Sequence, residues 1–165
     1  MFKKLFVLSL IFYCLSLFQT SFVPYFQVLG QTPNLVLIAL FLTIFFDFLP
    51  LHFPLEAILA GFFLDAFSNY PVGVSAFFLF LTALLMKKIL KSFKETNIFV
   101  FLFLFLIFYF VYYSFLFAFD YVLEKSTFAL DFAFLIQIIY NLVFATFLFY
   151  LCLLLKHQKI LKIKR

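Results

Sequence analysis

Residues Ile98–Phe119 read IFVFLFLFLIFYFVYYSFLFAF, a run with no charged residue and built almost wholly from Phe, Leu, Ile, Val and Tyr. In a helix it would rise about 33 Å, enough to cross an apolar bilayer core of about 30 Å. Such a run is too long for a strand. It also lacks the polar alternation that a membrane barrel strand requires. It is therefore expected to be a transmembrane helix.

The rest of the chain follows the same rule. Of 165 residues, 68% are hydrophobic and 12% charged, and 33 are Phe; the mean hydropathy is +1.23. Soluble domains are about 45–50% apolar and about 25% charged. A single domain of this length cannot hide so many large apolar side chains, so lipid is the expected solvent. Five further apolar segments stand beside the first: Leu5–Val23, Asn34–Leu49, Leu55–Phe67, Val72–Met86 and Phe132–Leu155. Breaks at Pro24, Gly30, Pro33, Pro50 and Pro71 separate several of them. The expected fold is an all-α integral membrane protein in one domain, residues 1–165. It is a bundle of about six transmembrane helices with a short hairpin of the third and fourth. Leu5–Val23 follows Lys3-Lys4 and resembles a signal peptide, but no small-residue cleavage site follows it, so it is read as a retained first span.

The net charge of +5 sits in three blocks: Lys3-Lys4, Lys87 to Lys94, and Lys156 to Arg165. Six crossings place all three on the cytoplasmic side and put the acidic loop Asp120–Asp131 outside, which satisfies the positive-inside rule. Four crossings also satisfy it, if the second and third segments dip in and return; six is taken as the expectation. Basic residues placed in this way point to a membrane, not to nucleic acid.

Ionisable groups at membrane depth are functional candidates by default. Asp47 and Glu56 flank a turn containing Leu49-Pro50 and His52, and they read as solvated residues near a helix end. Asp65 differs. Ala57, Gly61 and Asp65 are spaced four apart and share one helix face, where small residues allow a second backbone to approach. Gly73, Ala76 and Ala83 offer a matching stripe on the fourth helix, whose first turn is expected at Pro71. Asp65 either caps that helix or binds a partner or ligand, and both readings stay open. Gln137 and Asn141 form a polar patch expected to hydrogen-bond a neighbouring helix. Tyr109, Tyr112 and Tyr113 read as packing residues.

Cys14 and Cys152 have no metal-ligand spacing, and a single His52 between prolines does not make a metal site. Gly occurs only at 30, 61 and 73, so neither a Walker nor a dinucleotide loop can form. No enzymatic role, cofactor or metal is expected.

The stretch Thr32–Met86 resembles the rod shape-determining protein MreD family. The carrying residues are Pro33-Asn34-Leu35, Leu49-Pro50 with His52, Gly61-Phe62-Phe63-Leu64-Asp65, and Val72-Gly73-Val74. The remainder agrees in length, span count and basic tail. The resemblance implies a non-enzymatic inner-membrane component of the bacterial elongation machinery, which builds the lateral wall and maintains rod or helical shape. It also implies MreC, the actin-like MreB, the glycosyltransferase RodA and a penicillin-binding transpeptidase as partners. Pro33, Asn34, Gly61, Asp65 and Gly73 would be structural or partner-binding residues. The alternative is the substrate-binding subunit of an energy-coupling-factor vitamin transporter, of similar size and helix number. That family docks through an A-x-x-x-A ridge on its first helix, where this chain has Ser9, Tyr13 and Leu17.

Overall fold

The computed structural model describes residues 2–47, 53–68, 70–93, 97–123 and 132–163, with the backbone alone at 2–4 and 155–163. The turn residues Leu49, Pro50 and His52, and the charges of Lys94, Glu124, Lys125, Asp131 and Arg165, lie outside the described residues. The described chain is helical: α1 Phe2–Ser21, α2 Leu35–Phe45, α3 Phe53–Ala66, α4 Val74–Leu90, α5 Ile98–Val122 and α6 Phe132–Ile163, with a short 3-10 turn at Val23–Phe26.

Two helices are long and apolar enough to cross a membrane. These are α5, and α6 over Phe132–Leu154. Their outward faces explain why. The exposed stripe of α6 holds Leu135, Ile139, Val143, Phe147 and Leu154, spaced four or seven apart. Its buried stripe holds Phe134, Asn141, Ala145 and Phe149. A helix on the surface of a water-soluble protein carries charges on the outer stripe. Here the outer stripe is apolar as well. The same holds on α5, where Phe99 is 76% and Phe103 is 58% exposed.

α2 is the centre of the molecule. Eight of its eleven residues are buried, and it touches α1, α3, α4, α5 and α6. Phe41 packs among Phe101, Phe105 and Phe108 of α5 with ring centres 5.2–5.4 Å apart. Phe101 in turn meets Phe149 of α6 at 4.6 Å. The other helices form a ring around α2, open between α1 and α6 among the described residues.

Three sequence expectations are corrected. The shortest helix is α2, not α3 or α4. The sequence reading carried it to Leu49, but it ends at Phe45, because Asp47 takes a left-handed φ of 54° that stops helical bonding. Eleven residues rise only about 16 Å. Second, α4 begins at Val74, not at Pro71. Gly73 is its N-cap, at φ 106°, a conformation that costs a side chain about 1–2 kcal/mol. Pro71 lies outside the helix and accepts a bond from the Val74 N–H through its carbonyl (3.2 Å). Third, Gly73 precedes the helix and does not continue its small-residue stripe; Ala76 and Ala83 do, both buried.

The helices alternate in direction. One end of the bundle gathers Tyr70 with Asp120 and Tyr140 with the Phe26 carbonyl. The other gathers Asp47 with Lys87, which form an ion pair.

Candidate functional site

The starts of α2 and α4 each must satisfy the N–H groups that a helix start leaves unpaired. The start of α4 is served by Asp65. Its Oδ2 accepts from Gly73 N (2.8 Å) and Ala76 N (3.3 Å), and its Oδ1 accepts from Ser75 N (2.9 Å). The Asp65 residue is only 2% exposed. Its position follows from local spacing. Ala57, Gly61 and Asp65 line one face of α3, and that face lies against α4 in the most extensive helix contact among the described residues. Gly61 permits the approach. A Cβ there would fall 2.7 Å from the Ser75 carbonyl carbon and closer still to Ala76. The cap reading of Asp65 therefore describes its geometry.

The start of α2 is served from three places. Asn141 of α6 accepts from Asn34 N (2.7 Å) through Oδ1 and donates to the Gln137 carbonyl (2.8 Å). Gln19 of α1 accepts from Leu35 N (2.9 Å) and Val36 N (3.4 Å). Asn34 itself caps Leu37 N (3.0 Å). Pro33, buried just before, has no N–H to satisfy. The polar patch on α6 thus reaches other helices as expected: Asn141 meets the Asn34 backbone, and Gln137 meets the Tyr113 hydroxyl. The Asx residue after Pro33 is a helix cap.

Between these two starts lies a cavity of about 270 Å³. Asn34 and Ser75 border it, so each helix has a residue of its start there. Hydroxyl and amide pairs cross its walls. Tyr112 donates to Ser75 Oγ (3.1 Å), Gln137 donates to the Tyr113 hydroxyl (3.2 Å), and Tyr70 donates to Asp120 Oδ2 (2.7 Å). Burial and the Asp120 carboxylate push the Tyr70 phenol upward from its ordinary value, which keeps it a donor. α1 adds Ser16, Gln19 and Thr20. Ser16 Oγ has no hydrogen-bond partner among the described residues although the residue is only 2% exposed.

The sequence residues fall into two groups. Gly61, Asp65 and Gly73 build the α3–α4 contact, while Pro33 and Asn34 build the start of α2. Tyr112 and Tyr113, read as packing residues, are also hydrogen-bonding members of the cavity wall. Ser16 and Gln19 were not singled out at all. Their signal was the triplet Ser16, Gln19, Thr20, whose i, i+3, i+4 spacing makes one polar face on an otherwise apolar helix.

The opposite end behaves differently. Asp47 is half-exposed and pairs with Lys87, in line with a residue near solvent. Glu56 is 1% exposed, and neither carboxyl oxygen has a hydrogen-bond partner among the described residues. The solvated reading of Glu56 is therefore corrected. It lies on the face of α3 that also buries Ala57 and Ala60, and that face turns inward. The nearby Thr43 hydroxyl donates to the Leu40 carbonyl (2.8 Å). Among the described residues, no cluster of His, Cys, Asp and Glu could hold a metal ion.

Compared with known proteins, the sequence matches no family model, and neither a curated protein nor a solved structure is significantly similar to it.

Proposed function

We propose that this protein is a six-span, non-enzymatic component of the bacterial inner membrane that holds together the complex building the lateral cell wall, with both termini in the cytoplasm. The observation that carries this reading is the use of the ordered motif. Asn34, Gly61, Asp65 and Gly73, the residues behind the resemblance to MreD, all sit at helix starts or helix contacts. They shape a scaffold and leave no reactive constellation between them. Partners of the kind the resemblance implies are MreC, MreB, RodA and a penicillin-binding transpeptidase.

Six crossings are supported by three facts. The helices alternate in direction, the outer faces are apolar, and the short α2, α3 and α4 are flanked by irregular backbone. Non-helical backbone is tolerated at membrane depth where protein covers it or a cavity adjoins it. Here Thr32, Asn34, Ser68 and Tyr70 border the cavity.

Depletion tests the function. Rod-shaped cells should round up and lose localised wall synthesis, and wall-synthesis proteins should copurify in mild detergent. Normal rods after complete depletion would overturn the proposal. The cavity favours a second reading, the substrate-binding subunit of a vitamin transporter. Lost vitamin uptake and a copurifying ATPase module would mark that outcome.

A further inference from the structure

We propose that the cavity between the starts of α2 and α4 is a binding site for a small organic cation, an amine of metabolite size carrying a ring. The proposal holds under either functional reading above.

Size sets the first limit. Sites for drug-sized ligands enclose about 300–1,000 Å³. At about 270 Å³ this cavity suits a smaller molecule.

Ser16 gives the second observation. A buried hydroxyl left unpaired is costly. Ser16 Oγ is buried, borders the cavity and has no protein partner among the described residues. Its neighbour Thr20 is satisfied, donating to the Ser16 and Leu17 carbonyls at 3.0 and 3.2 Å. Ser16 is thus the one side chain on the described wall that buries a polar atom without a bonded partner.

Charge selects the class. Asp120 is the one ionisable carboxylate on the described wall, and no Lys, Arg or His stands there with it. Tyr70 holds Oδ2, and Oδ1 carries no hydrogen bond among the described residues. The other nearby acid, Asp65, is engaged by three backbone N–H groups and does not border the cavity. The N–H groups at both helix starts are already held by Asn141, Gln19, Asn34 and Asp65, so neither start has them free for an anion, which would also meet Asp120. A cation would find a carboxylate beside the aromatic side chains of Phe63, Phe67, Tyr112 and Tyr113. Aromatic rings attract cations through their quadrupole.

The test uses three probes that share a phenol ring and differ in charge: tyramine, tyrosol and 4-hydroxyphenylacetate. Binding is measured by equilibrium dialysis to the full chain in nanodiscs, with empty nanodiscs subtracted. Tyramine is expected to bind at least tenfold more tightly than the neutral and anionic probes. Asp120→Asn should remove the preference for tyramine over tyrosol, and Ser16→Phe should fill the cavity and abolish binding of all three. No tyramine binding at millimolar concentration would overturn the proposal, as would equal binding of the anion. So would an unchanged tyramine preference in Asp120→Asn. That variant alters a partly exposed side chain, so it carries the test even if Ser16→Phe fails to fold.

Discussion

Gly61 lies against Ala76 so closely that the space between α3 and α4 admits no side-chain atom at position 61. Packing is a main force between helices in lipid, where burial itself gives little. Overpacking a tight contact costs about 1–3 kcal/mol or more. Gly61→Ala should therefore lower the melting temperature measurably in detergent, and Gly61→Leu should abolish accumulation. A Gly61→Leu variant with unchanged level and melting temperature would show that the hairpin is not tight.

Asp65 uses both carboxylate oxygens, which changes what Asp65→Asn should do. From the sequence, a cap predicts a mild effect, because an amide oxygen still accepts an N–H bond. With the observed geometry, the amide NH₂ must replace one oxygen and face a backbone N–H. At least one buried donor is orphaned, at about 1–3 kcal/mol. Asp65→Asn should lower stability by about that amount, and Asp65→Leu by clearly more. Stability equal to wild type in Asp65→Asn, read by thermal unfolding in detergent, would contradict the three-bond cap.

Asn141→Leu should destabilise by about 1–3 kcal/mol, since it strips Asn34 N of its acceptor at a buried site. Asn141→Asp, which keeps that acceptor oxygen, should restore part of the loss. If Leu and Asp behave alike, the bond to Asn34 is not what Asn141 contributes.

Glu56 gives the opposite expectation. An unpaired carboxyl in an apolar interior is costly, so Glu56→Gln should leave the melting temperature unchanged or raise it. A marked loss of stability would show that Thr43 or Lys87 nearby favours the carboxylate over an amide.

Six crossings predict the side on which each loop lies. Reporter fusions after Lys94 and after Arg165 should read cytoplasmic, and one within Glu124–Thr127 should read external. A cytoplasmic reading from the last fusion would rule out this topology.

Much of the molecule was readable along the chain because helix geometry is local. The run Ile98–Phe119 announced α5, and its end moved only to Val122. The four-residue spacing of Ala57, Gly61 and Asp65 placed them on one face, and the next helix in sequence was the nearest candidate to meet it. Pro and Gly marked most breaks. They did not mark the end of α2, because Asp47, an ordinary residue in a sequence, took up the left-handed conformation there.

The sequence by itself determined the helices, their apolar faces and the small-residue contact of α3 with α4, since each depends on residues within a few turns of one another. Tertiary structure alone decided that α2 lies at the centre and that Asn141 meets Asn34 across 107 residues. It alone brought Ser16, Ser75, Tyr112 and Asp120 around one cavity. The physical reason is that a helix start must find acceptors for its free N–H groups. Which distant side chain supplies them depends on how whole helices pack in three dimensions, and no periodicity along the chain records it.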